Sequence, residues 1–227
     1  MIQVRQKRGL RLGVLGMALC MAADWLLDVK PAGSVSDMVV ESGWLEMSLW
    51  RFEASILIAA AIIPLFWLGI REMKALLRAK CQTAGDRRMS RLFDIGAMAG
   101  VISFLFIHIM CCFVAIIFKC AYAAGMDFAA AAALTNETAV YMYIPFFAYY
   151  FTADLSVSIA WVSFVLKGRL GLPKWAALCC PIAGLTLAEL FHFVPWPVSQ
   201  LGAAFETMGY VLLMAMGLRL CGKRYAG

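Results

Sequence analysis

Charge is scarce in this 227-residue chain: Asp, Glu, Lys and Arg make up 15% of it, and 63% is hydrophobic. Soluble domains are nearer a quarter charged and about half apolar, so an ordinary soluble domain is excluded. Long polar stretches are also missing, which leaves no room for a second domain outside the membrane. No pair among the eight cysteines has metal-ligand spacing. A cysteine-built metal or redox centre is therefore not expected, and cysteines within spans, Cys20 among them, count as small apolar residues. Internal repeats are absent, which removes support for an inverted-repeat transporter. Glu-x-x-His occurs once, at Glu189–His192, where a di-iron bundle needs it twice.

What is present is a succession of apolar runs, each near the roughly 20 residues that cross a bilayer. Spans are predicted at about 10–29, 48–70, 92–118, 139–166, 175–194 and 198–220. The formal charge of +6 does not mean nucleic acid. Placing the N-terminus inside puts all basic residues except Lys30, Arg51 and Lys119 on inner segments, as the positive-inside rule requires. The expectation is an all-α, multi-pass protein of the cell's inner (cytoplasmic) membrane: six transmembrane helices, N-in/C-in, with residues 1–227 as one membrane domain. A basic start before an apolar run also resembles a signal peptide, and Ala18-Leu19-Cys20 a lipoprotein site. Leu19 is a poor match for the small residue needed there, so the first helix is expected to be retained.

Between the spans, Arg71 to Arg91 forms a basic inner connector with Gly85-Asp86 as its turn signal. Trp44 and Trp50 are expected as interface anchors. Phe128 to Leu134 is alanine-rich and expected as a short interfacial helix, with Asn136-Glu137-Thr138 starting the fourth span. Pro195-Trp196-Pro197 must turn the chain between the fifth and sixth spans. Glu189 then lies about 9 Å and Glu206 about 14 Å below that turn, so the two carboxyls can approach each other.

Acids inside these spans are the functional signal. Asp24, Glu53, Asp154, Glu189 and Glu206 fall within them, as do His108 and His192. Each ionisable group at membrane depth costs about 2.5–3.5 kcal/mol on insertion scales, so several together imply a shared polar interior. Glu189 and His192 are one helical turn apart on one face. The fourth span adds a dense aromatic run that includes Tyr143, Phe147 and Tyr150. Such rings form a lipid-facing belt in many proteins, and helical spacing must send some of these outward.

Three chemistries fit such a pocket. In the first, an acid donates a proton to a hydrophobic substrate while a neighbouring acid or histidine accepts one, and aromatic faces stabilise the cation between. Cyclisation or isomerisation of an isoprenoid or similar lipid is of this isomerase- or lyase-like kind. Glu206 or Asp154 would donate, Glu189 with His192 would accept or orient, and His108 would complete the polar wall. Asp24, Glu53, Tyr143, Phe147 and Tyr150 would contact substrate. No cofactor or metal is required. The second chemistry is a zinc hydrolase using His108, His192, Glu189 and Glu206 or Asp154. The third is a proton-coupled transporter, against which stands the clustering of acids toward the outer side. Against each chemistry stands a plain structural role: Glu53 can pair with Arg51 or Lys30, and His108 can be a neutral core histidine. Membrane lipids and a hydrophobic small molecule are the expected partners, nucleic acid is not, and a homo-oligomer is compatible with the sequence.

Several short patches carry a resemblance. They are Asp24-Trp25-Leu26-Leu27, Met47-Ser48-Leu49-Trp50-Arg51, His108, Gly171-Leu172-Pro173-Lys174-Trp175-Ala176-Ala177-Leu178 followed by Pro181, and Pro195 through Val198. In their order and spacing the chain resembles a family of small bacterial six-helix membrane proteins of unknown function. The resemblance implies six helices and a common pattern that includes Asp24, Arg51 and His108. It implies no activity. Glu206 stands where that family tends to have a neutral polar residue.

Overall fold

Residues 2–28 contain no proline, and they form one unbroken helix, α1 (Ile2–Asp28). The computed structural model describes residues 2–223; Arg224, counted above among the inner basic residues, lies outside them. After α1 come a small antiparallel hairpin, Ser36–Asp37 with Val40–Glu41, and a 3-10 turn at Ser42–Glu46. Then follow α2 (Leu49–Arg78), α3 (Ala84–Ala123), α4 (Phe128–Leu166), α5 (Pro181–Phe191) and α6 (Phe205–Lys223). Among the described residues, α1 to α4 and the segment Val198–Gly222 are long and apolar enough to cross a membrane. The chain is an all-α membrane protein.

The fifth predicted span is corrected. Instead of a helix over 175–194 there is a 3-10 turn at Lys174–Leu178, extended backbone at Cys180, and the 11-residue α5. At 1.5 Å per residue α5 is about 16 Å long, half a hydrocarbon core of about 30 Å. Pro181 sits at the start of α5, where its missing N–H costs nothing, and it prevents the helix from continuing back into residue 180. The non-helical stretch is held against α4. Trp161 Nε1 donates to Ala176 O at 2.8 Å, and Ile182 N donates to Ser158 Oγ at 3.2 Å. Irregular backbone at this depth persists because protein groups satisfy it.

Three further expectations change. The inner connector shrinks to a few residues, because Gly85 and Asp86 belong to the first turn of α3. Asp86 Oδ2 accepts from Gln82 N and Thr83 N, both at 3.0 Å, while Thr83 Oγ1 accepts from Asp86 N at 3.1 Å. This reciprocal capping box overrides the turn tendency of Gly-Asp. Residues 128–134 are not a separate interfacial helix but the start of α4, capped by Asp127 Oδ1 on Ala130 N at 2.8 Å. Alanine is the strongest helix former, and no proline or glycine interrupts this stretch. Asn136 lies inside that helix and accepts from Val39 N at 3.3 Å, pinning the hairpin. Of the two expected anchors, Trp50 is exposed and Trp44 is buried beneath the hairpin.

Asp86 also meets Arg169 Nε at 3.0 Å, which ties the start of α3 to the loop after α4. Thr83→Ala is expected to cost about 1 kcal/mol, the usual value of a lost cap. Asp86→Ala should cost more, since it removes the acceptor for two N–H groups and the partner of Arg169. Thermal unfolding in detergent reads both, and equal melting of the two variants would contradict the Arg169 link.

Helices cross closely where glycines face each other. A Cβ on Gly13 of α1 would lie 2.5 Å from Gly69 Cα of α2 and 2.6 Å from Met214 Sδ of α6. Without a hydrophobic drive inside lipid, such close backbone approach is a main source of helix association. These crossings hold α1, α2 and α6 together.

Candidate functional site

Cys20 and Asp24 lie four residues apart on α1, hence on one face. Opposite them α3 brings His108, and α6 brings Glu206, Thr207 and Tyr210. Thr207 Oγ1 donates to Asp24 Oδ2 at 2.6 Å. His108 Nδ1 stands 3.6 Å from Asp24 Oδ1, and His108 Nε2 stands 2.8 Å from Ser55 Oγ of α2. Ser55 Oγ donates in turn to Ala23 O at 2.7 Å. Its one proton being given there, the oxygen accepts from Nε2–H, which leaves the lone pair on Nδ1 directed at Asp24.

The set Ser55, His108 and Asp24 has the composition of a hydrolytic triad, but not its working geometry. Ser55 is fully buried, its proton is held by a carbonyl, and 3.6 Å is too long for the Asp–His hydrogen bond.

The second half of the site is built on α4. Its helix widens to a π turn over Tyr150–Leu155, a feature frequent at functional sites. The α3 backbone packs on this turn at Gly96, where a Cβ would stand 2.9 Å from both Thr152 O and Ala153 O. From the π turn Tyr150 OH donates to Glu206 Oε2 at 2.7 Å, and Asp154 accepts from Tyr210 OH at 2.5 Å. Asp154 is completely buried, and its other oxygen has no hydrogen-bond partner among the described residues.

Asp24, His108, Cys111, Tyr149, Tyr150, Glu206 and Thr207 line a chamber of about 240 Å³. Two further cavities share its lining. Tyr150, Glu206 and Asp28 also line a polar vestibule of about 440 Å³, together with Lys30, Glu41, His192 and Gln200. Ile107, Cys111 and Phe146 also line an apolar cleft of about 290 Å³ between α3 and α4, with Met110, Met142 and Tyr143. At the vestibule mouth Lys30 Nζ meets Asp28 Oδ1 at 2.7 Å and Glu41 Oε1 at 3.4 Å. Burial works against the charge of Lys30, but Asp28 and Glu41 outweigh it and hold the ammonium above its ordinary pKa.

Of the residues singled out in the sequence, Asp24, His108, Tyr150, Asp154 and Glu206 come together, and Tyr143 lines the cleft. Glu189 and His192 do not join them. Their side chains are 71% and 74% exposed and stand 4.0 Å apart. Of the two, only His192 lines the vestibule. The zinc set that combined them with His108 is therefore not formed. Glu53 is exposed and pairs with neither Arg51 nor Lys30. Arg51 instead donates to Trp25 O at 3.2 Å and Val29 O at 2.9 Å at the end of α1. Phe147 is 55% exposed and belongs to the outer aromatic surface. Sequence reasoning passed over Cys20, Ser55, Thr207 and Tyr210. The signal for the last two was the spacing Glu206-Thr207-x-x-Tyr210, polar groups within a turn of each other in an apolar helix.

Over residues 1–224 the chain matches a family described as a family of unknown function (DUF6796). No curated protein and no solved structure matches it.

Proposed function

The chain belongs to that family of unknown function, which supplies no activity, and from the site itself we propose an intramembrane acid–base enzyme acting on an isoprenoid-like or similar lipid substrate. The observation that carries this is the chamber: three carboxyls and a histidine from four helices converge beside a cavity that continues into an apolar cleft. In this proposal both termini are on the inner side of the cell's inner membrane, and the vestibule faces outward.

The roles follow from position. The cleft between α3 and α4 takes the apolar chain, with Tyr143 and Phe146 against it. Glu206 reaches the chamber and donates the proton, held in place by Tyr150. Asp154 with Tyr210 supports it from behind. The Asp24–His108 wall across the chamber accepts a proton from a neighbouring carbon. One proton enters and one leaves, so cyclisation or isomerisation balances without a redox partner. Aromatic faces of Tyr149, Tyr150 and Phe146 suit a transient carbocation. Glu189 and Glu53 have no part in it.

Untargeted lipid profiling of cells expressing the wild type against cells expressing Glu206→Gln tests the proposal. A lipid product present only with the wild type is expected. Matching profiles in a host supplied with isoprenoid precursors, with both proteins folded in the membrane, would count against an enzyme. Proton-coupled flux in proteoliposomes would then make it a transporter.

A further inference from the structure

We propose that Cys20, Asp24 and His108 form a binding site for a single Zn²⁺ ion, with one coordination position open to the chamber. One ligand atom from each of the three lies within 4.8 Å of the others. Cys20 is fully buried and His108 nearly so, and Asp24 and His108 line the chamber.

The separation between the nitrogen and oxygen ligands is that of ligands rather than of hydrogen-bonded partners. Two ligands on a tetrahedral zinc with bonds of about 2.0–2.1 Å are separated by about 3.3 Å, and a sulfur and an oxygen by about 3.5 Å. The 3.6 Å between His108 Nδ1 and Asp24 Oδ1 exceeds a hydrogen bond and nearly equals that edge. Both atoms are prepared for a cation. Ser55 takes the proton of Nε2 and so turns a bare Nδ1 lone pair inward. Thr207 occupies Asp24 Oδ2, which leaves Oδ1 to face the histidine. Such outer partners, fixing tautomer and carboxylate orientation, are what metal sites require of their surroundings.

The chemistry of the set selects the ion. A thiolate and an imidazole exclude Mg²⁺ and Ca²⁺, which demand oxygen, and suit Zn²⁺. One thiolate and one carboxylate cancel a divalent charge, so the loaded site is neutral overall. At membrane depth that neutrality matters, since a net charge there is costly. Three protein ligands leave a fourth position for water, the pattern of catalytic rather than structural zinc. An ion here would take over the Asp24–His108 wall, and its water would face the substrate.

The test reads metal, not turnover, so it is separable from the enzymatic proposal. Full-length protein in detergent is stripped with chelator and titrated with Co²⁺, followed by absorption spectroscopy. One equivalent per chain is expected, with the d–d bands of tetrahedral cobalt and a thiolate-to-cobalt charge-transfer band that Zn²⁺ abolishes. Cys20→Ser should remove the charge-transfer band. Ser55→Ala, which touches no ligand bond, should weaken binding about 10- to 100-fold. Cys111→Ser, whose thiol lines the same chamber, should retain the band. The proposal is overturned if folded wild type shows no such band, or if the band survives Cys20→Ser or disappears in Cys111→Ser. Should Cys20→Ser fail to fold, unchanged cobalt affinity in Ser55→Ala overturns it alone.

Discussion

Glu206→Gln is expected to lower product formation by about 10²- to 10⁴-fold, the usual worth of a positioned acid or base. The substitution keeps the size and planarity of the side chain, and the amide oxygen can still accept from Tyr150 OH, now at 2.7 Å from Glu206 Oε2. Folding should therefore survive while the transferable proton is lost. Tyr150→Phe should cost less, because it removes only the hydroxyl that holds the acid. Glu189→Gln should leave formation unchanged, since that carboxyl is 71% exposed and does not line the chamber. The measurement is product per folded protein in membranes, after profiling has identified the product. Equal losses in Glu189→Gln and Glu206→Gln would remove the chamber from the mechanism.

The second large effect is on stability and comes from α5. This short helix rests on α6 through two glycines. A Cβ on Gly209 would stand 2.5 Å from Cys180 O and 2.7 Å from Pro181 Cα, and one on Gly184 would collide with the Phe205 carbonyl. In both cases the obstacle is backbone, which cannot rotate aside. Overpacking usually costs 1–3 kcal/mol, and Gly209→Val and Gly184→Val should each reach about 3 kcal/mol or more. Glu206 follows Phe205 directly, so a displaced contact also moves the acid, and product formation should fall with stability. Thermal unfolding of purified protein checks the first part. A Gly209→Val variant that melts with the wild type would mean that α5 does not pack as described.

Much of this was legible in the residues. An acid in an otherwise apolar run has few tolerable positions, and Asp24, Asp154 and Glu206 each reach the shared interior for that reason. Hydropathy also located the four long helices before the fifth segment. It misplaced the fifth itself, because Trp175 to Leu178 and Pro181 to Phe191 are as apolar as a continuous helix would be. Only the backbone shows the extended residue Cys180 between them. Depth and azimuth were legible to different degrees. Glu189 was placed at a depth near Glu206, but depth does not say which side of α5 meets α6, and Gly184 took that side. The π turn left no mark in composition, since a widened turn uses the same residue types as a regular one. Cys20 and Ser55 resemble ordinary small packing residues until His108 and Asp24 are seen beside them.

The cleft between α3 and α4 has a kinetic consequence. Its lining of Ile107, Met110, Met142 and Phe146 suits a hydrocarbon chain that never leaves the bilayer, so the membrane itself serves as the substrate reservoir. Under the proposed function, saturation would then be governed by the mole fraction of substrate among the lipids. Diluting the bilayer with inert lipid would slow the enzyme, and adding water to the vesicles would not.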